Sequence, residues 1–147
     1  MKNQIKLEFP NNSCNESLAR ITAAAFAMEL DPTLDCLSEI KTAVSEAVTN
    51  AIIHGYGDKP GTIVMECETD GLCVTYRILD QGCGIADISR AMEPLYTGAP
   101  DMERSGMGFT IMETFMDEIH VDSCPNRGTC VTLKKQIRGR GEVNDRE

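Results

Sequence analysis

The sequence predicts a two-layer α/β (α+β) sandwich, in which a mixed, mostly antiparallel sheet is covered on one face by three helices. Three observations lead there. Segments that read as half-buried strands open the chain, recur in its middle and close it. Three segments with helical apolar spacing lie between them, and clusters of Gly, Pro, Asp and Asn separate the two kinds. The resulting order is β, α, α, β, β, loop, α, β, β.

Ile5, Leu7 and Phe9 alternate with polar residues, which predicts a first strand ending at Pro10. Ser13 and Glu16 have capping-box spacing, and Leu18, Ile21, Ala25 and Met28 follow as one apolar stripe, with Arg20 pointing away from it. Asp31-Pro32 reads as a cap and first helical position for a second helix. Its periodic residues are Ile40, Ala43, Val44, Ala47, Val48, Ala51 and Ile52, and Gly55 and Gly57 stop it. Residues 62–68 and 72–79, joined across Asp70-Gly71, read as an antiparallel hairpin that delivers Asp80 at a strand end. Between Gly82 and Ser105 no period holds, and Pro94, Gly98 and Pro100 interrupt the chain as in a long lid-like loop. Phe109, Met112, Phe115, Met116 and Ile119 define a third helix, and two short strands flank Pro125-Asn126-Arg127-Gly128. Residues 1–137 are expected to form a single domain and 138–147 a disordered tail, since 147 residues suit one core.

With 14 basic and 23 acidic residues the net charge is −9, which disfavours nucleic acid as a direct ligand. The start does not read as a signal peptide, and no apolar run approaches the ~20 residues that span a bilayer. A soluble, cytoplasmic protein without membrane contact is expected. The seven cysteines (14, 36, 67, 73, 83, 124 and 130) include no C-x-x-C pair, so free thiols are expected, with Cys83 in a packing role. His54 and His120 have no metal-ligand spacing.

The chemistry lies in three short runs. Glu46 and Asn50 are four residues apart on the second helix, so a carboxylate that takes a proton and an amide oxygen that ligates a hard cation share one face. Val44, Val48 and Ile52 flank them, leaving a narrow polar strip that suits a cleft. Asp80-x-Gly82-x-Gly84 places a hydrogen-bond acceptor at a strand end beside glycines that admit close backbone approach. Gly106-Met107-Gly108 opens onto a helix N-terminus, with Arg104 just before it to hold a phosphoryl oxygen. Thr129 alone reads as a structural strand residue. In this order the runs read as an ATP site.

The three runs resemble the N, G1 and G2 boxes of the Bergerat-type ATP-binding fold shared by DNA gyrase, MutL, heat-shock chaperones and histidine kinases, and the resemblance spans nearly the whole chain. Within that superfamily, residues 46–57 (EAVTNAIIHGYG) and 104–113 (RSGMGFTIME) resemble the anti-sigma serine kinases of sporulating bacteria. The resemblance implies that Glu46 is the general base for a serine hydroxyl, Asn50 the Mg²⁺ ligand and Asp80 the partner of the adenine amino group. It implies that Gly82, Gly84, Gly106 and Gly108 shape pocket and lid, that Arg104 meets the γ-phosphate with Ser105 beside it at the nucleotide, and that Thr129 supports the adenine side. Arg20 falls on the surface used by protein partners. The implied function is that of an ATP- and Mg²⁺-dependent protein-serine kinase. It sequesters a sporulation sigma factor, phosphorylates an anti-anti-sigma factor and forms a homodimer. The alternative is a nucleotide-dependent sigma-factor-binding module that transfers nothing; a carboxylate at position 46 favours chemistry.

Overall fold

The computed structural model describes residues 2–84 and 108–137. Arg104, Ser105, Gly106, the lid at 93–105 and the tail at 138–147 lie outside the described residues. The expected element order is reproduced: β1 (Asn3–Pro10), α1 (Asn15–Ala27), α2 (Leu34–Asn50), β2 (Thr62–Asp70), β3 (Cys73–Asp80), α3 (Gly108–Phe115), β4 (Glu118–Cys124) and β5 (Gly128–Gln136). The strands form one sheet in the order β1-β2-β3-β5-β4, and all four pairings are antiparallel, so the parallel pairing that a mixed sheet allows does not occur among the described strands.

The core lies between the sheet and the helices. Ile40, Val44 and Val48 of α2, Met112 of α3, and Ile63, Met65, Tyr76, Ile78 and Leu133 of the sheet are buried there. The Tyr76 hydroxyl donates to the Ala23 carbonyl of α1 at 2.6 Å. That bond satisfies a phenol deep in the core and fixes α1 on β3. Burial pushes the Cys67 thiol up to about 12, keeping it protonated and inert. No disulfide joins the six cysteines whose side chains are described.

Four local expectations are corrected. The stripe of Leu18, Ile21, Ala25 and Met28 faces outward, and α1 instead buries Ala19, Ala23, Phe26 and Ala27. Three alanines at four-residue intervals let α1 approach α2 closely, which the larger side chains would prevent. The Ser13/Glu16 capping box does not form: the N-cap is Cys14 without a side-chain bond, and Glu16 instead accepts from the Ser45 hydroxyl of α2 and pairs with Arg20. Asp31 does not cap α2. It sits at φ 51 and closes the 3₁₀ turn Met28–Leu30, while the Thr33 hydroxyl accepts from the Cys36 amide at 3.1 Å. Ile119 belongs to β4, because α3 ends at Phe115.

The end of α2 positions the site. Its last regular residue is Asn50, after which Ala51–Tyr56 widens into a π turn. Such a bulge shifts the following backbone relative to a regular helix and is frequent at functional sites. Lys135, buried on β5, donates to the Phe115 carbonyl at the C-terminus of α3 and pairs with Glu39 of α2 at 3.7 Å. One ammonium thus ties both helices to the sheet and complements the negative end of α3.

Candidate functional site

Two clusters of polar groups face the helix-covered side of the sheet. The first is on α2. Glu46 and Asn50 are half-buried and point at the first residue of α3, where a Cβ on Gly108 would stand 3.2 Å from Glu46 Oε2 and 3.3 Å from Asn50 Nδ2. A side chain at Gly108 would press on the polar tips of α2, which would have to give by a few tenths of an ångström. Packing between α2 and α3 therefore sets Gly108, the described residue of the third run, against the first run.

The second cluster surrounds Asp80, the last residue of β3. It is 8% exposed, and its carboxylate accepts the Gly82 N–H at 2.9 Å and the backbone N–H of Thr129. Burial raises its pKa, and the two amide bonds oppose the shift only in part. A buried carboxylate with acceptor capacity left over is suited to a ligand N–H donor. Gly55, in the π turn, packs on it: a Cβ there would lie 2.8 Å from Asp80 Oδ1, and a Cβ on Gly82 would overlap the Gly55 carbonyl. The loop at Gly82 hangs on the π turn through Cys83 N–H to Gly55 O at 2.8 Å and Gln81 N–H to Tyr56 Oη at 2.8 Å. The Cys83 thiol donates to the His54 carbonyl at 2.9 Å but is exposed, so it does not take the packing role expected for it.

The π turn that continues α2 beyond Asn50 links the described parts of the three runs, because its Gly55 packs on Asp80 and Gly82. Glu46, Asn50 and Gly108 make one cluster and Asp80, Gly82 and Thr129 the other, and Gly84 is the last described residue of the loop that follows Asp80. Arg20 lies off the exposed stripe, as expected, but turns toward α2. It lines a cleft of about 290 Å³ with Ser38, Lys41, Thr42, Ser45 and Glu46, its guanidinium 3.7 Å from Glu16. Among the described residues no cluster of three or more His, Cys, Asp or Glu side chains is placed to hold a metal.

Sequence reasoning missed Gly55, Tyr56 and Ser123. Gly55 read only as a helix terminator and Tyr56 gave no signal, and the π turn brings them to Asp80 and Gln81. Ser123 is opposite Thr129 in the β4–β5 register, and their hydroxyls are 2.7 Å apart. A serine in a strand gives no signal until that register is known.

The sequence matches the histidine kinase-like ATPase domain over residues 9–135. Similar proteins include the anti-sigma F factor of Clostridium novyi, 53% identical over 92% of this chain and 96% of the relative. The anti-sigma F factor of Geobacillus thermodenitrificans is 57% identical over 93% of this chain and 94% of its own length. That of Clostridium acetobutylicum is 52% identical over 93% and 96%. Near-complete coverage in both directions, together with the domain match over residues 9–135, places this chain in the histidine kinase-like ATPase family, among the anti-sigma F factors.

Proposed function

We propose that this chain is an ATP-dependent protein-serine kinase that also holds a sporulation sigma factor, and that its phosphoryl acceptor is a serine of an anti-anti-sigma factor. The observation that carries the reading is the pairing of Glu46 and Asn50 against Gly108, linked through the π turn to the buried Asp80 carboxylate. The acceptor at Asp80 suits an adenine amine, and the close glycine contacts at Gly55 and Gly82 hold that carboxylate and its loop in place. Bound ATP supplies the phosphoryl group, and Mg²⁺ offsets its charge.

Each residue then has one task. Asp80, with Thr129 beside it, takes the adenine edge, while Gly82 and Gly84 let the loop pass close to the nucleotide. Asn50 offers its amide oxygen to the cation. Glu46, half-buried at the mouth of the α1–α2 cleft, takes the proton from the incoming serine hydroxyl as its oxygen bonds to the γ-phosphorus and the bond from that phosphorus to the β–γ bridging oxygen breaks, releasing ADP. Arg104, Ser105 and Gly106 are assigned to the phosphates by sequence alone. Arg20 meets the protein partner from the same cleft. The name of the relatives supports a sigma factor as partner. The outward stripe of Leu18, Ile21 and Met28, between 47% and 60% exposed, supports a homodimer.

The test is incubation with γ-labelled ATP and a candidate anti-anti-sigma protein, followed by phosphoserine mapping. Glu46→Gln is expected to bind ATP normally and transfer ~10²- to 10⁴-fold more slowly. Undiminished transfer removes Glu46 as base. No transfer by the unmodified chain leaves the alternative, a nucleotide-dependent binding module.

A further inference from the structure

We infer that Ser123 is a positioning residue that sets the hydrogen-bond polarity of Thr129, and through it the choice of nucleobase. The inference rests on reading the Asp80 pocket as a purine site. Asp80, Thr129 and Ser123 form one row across three strands, since Asp80 pairs with Thr129 in the β3–β5 register and Ser123 pairs with Thr129 in the β4–β5 register. Directly paired residues project to the same face of a sheet, and this row continues the helix-facing side occupied by Ile78 and Val131.

The direction of each bond follows from proton counting. Ser123 Oγ is 3.0 Å from the Gly128 carbonyl, which can only accept, so the single hydroxyl proton of Ser123 is spent there. The 2.7 Å contact between Ser123 and Thr129 is then a bond in which Thr129 donates. The proton of Thr129 is thus held away from Asp80, and its lone pairs are what it offers to the pocket. The ionised Asp80 carboxylate is acceptor-only. Two acceptors side by side match an exocyclic amine, or a water that donates to it, and repel a base that carries a carbonyl oxygen at the same place. The row therefore selects a 6-amino purine over a 6-oxo purine. Without Ser123 the Thr129 hydroxyl is released to rotate and to donate to a 6-oxo group.

The experiment measures equilibrium dissociation constants of the full chain for ATP and for inosine triphosphate. Wild type is expected to prefer ATP, and Ser123→Ala to shrink that preference about tenfold, the scale of one hydrogen-bond reversal in a buried site. Ser123→Thr, which keeps the hydroxyl, should restore the preference. In a Thr129→Val background, Ser123→Ala should change the ratio no further, because the group it orients is gone. If Ser123→Ala does not fold, Ser123→Cys serves the same comparison with a weaker thiol partner. Equal weakening of both nucleotides, with the wild-type preference intact in ratio, makes Ser123 merely structural and overturns the inference alone. A wild-type chain that binds the two nucleotides equally overturns the adenine reading of the pocket, and this inference with it.

Discussion

The Asp80 carboxyl group packs directly on the backbone of Gly55, so closely that a Cβ there would lie 2.8 Å from both Cγ and Oδ1. The same Gly55 offers its carbonyl to the Cys83 amide, so the π turn and the glycine loop are built on one another. Two glycine substitutions are therefore expected to behave differently. At Gly55 the obstacle is the end of a side chain, which can swing; Gly55→Ala should retain the fold while moving the carboxylate and weakening ATP binding about tenfold or more. At Gly82 the obstacle is the Gly55 backbone itself. Gly82→Ala should weaken ATP binding and also cost about 1–3 kcal/mol of stability, as overpacking does. Calorimetric titration with ATP and urea denaturation of both variants separate the cases, and an unaltered midpoint for Gly82→Ala counts against the contact.

Asp80 carries a stability cost that depends on pH. Its folded-state pKa lies above the ordinary carboxylate value, so the folded chain holds that proton more tightly than the unfolded chain. The sign follows: the cost is fully present above the folded pKa, shrinks as pH falls through it and vanishes below the unfolded value near ~3.9. Asp80→Asn should melt higher than wild type at pH 7, with the gap closing on acidification, and should bind ATP poorly because the amide has one acceptor oxygen instead of two. Parallel melting temperatures of the two proteins across that pH range would falsify the assignment of a buried, destabilising carboxylate.

Lys135 anchors α3, whose first residue abuts Glu46 and Asn50. Removing its ammonium leaves the Phe115 carbonyl without that bond and takes the partner from Glu39, which is itself 36% exposed. Lys135→Met is expected to cost about 1–3 kcal/mol, most of it from the unsatisfied carbonyl, whereas Glu39→Gln should cost less because water reaches the glutamate. Chemical denaturation of the two variants gives the ranking. A larger loss for Glu39→Gln would mean that the ion pair, and not the carbonyl bond, holds the helix.

Most of the fold was legible because its signals are local. Strand alternation at Ile5, Leu7 and Phe9 and the α2 periodicity from Ile40 to Ile52 survive without tertiary information. The α1 stripe misled for a physical reason. Hydropathy ranks Leu18, Ile21 and Met28 above alanine, but a tight helix contact selects Ala19, Ala23 and Ala27 for size. In the site, Glu46, Asn50 and Asp80 were readable from helix spacing and from a strand end. Ser123 and Gly55 were not, because their roles come from cross-strand register and from a π turn that propensity does not encode.

Arg20 and Lys41 bracket the cleft in front of Glu46 from two helices. On the proposed reading, a protein that presents a serine to Glu46 must cross this opening and meet both cations. Arg20→Glu and Lys41→Glu are each expected to weaken capture of the sigma factor or the anti-anti-sigma factor, mainly by slowing association, and the difference from wild type should shrink with added salt. ATP affinity should stay unchanged in both, since neither side chain belongs to the Asp80 cluster. Partner association rates at low and high ionic strength, with ATP binding measured on the same preparations, test this. Salt-independent loss, or loss of ATP binding in step with partner binding, would place the effect in the folding of α1 on α2 instead of in recognition.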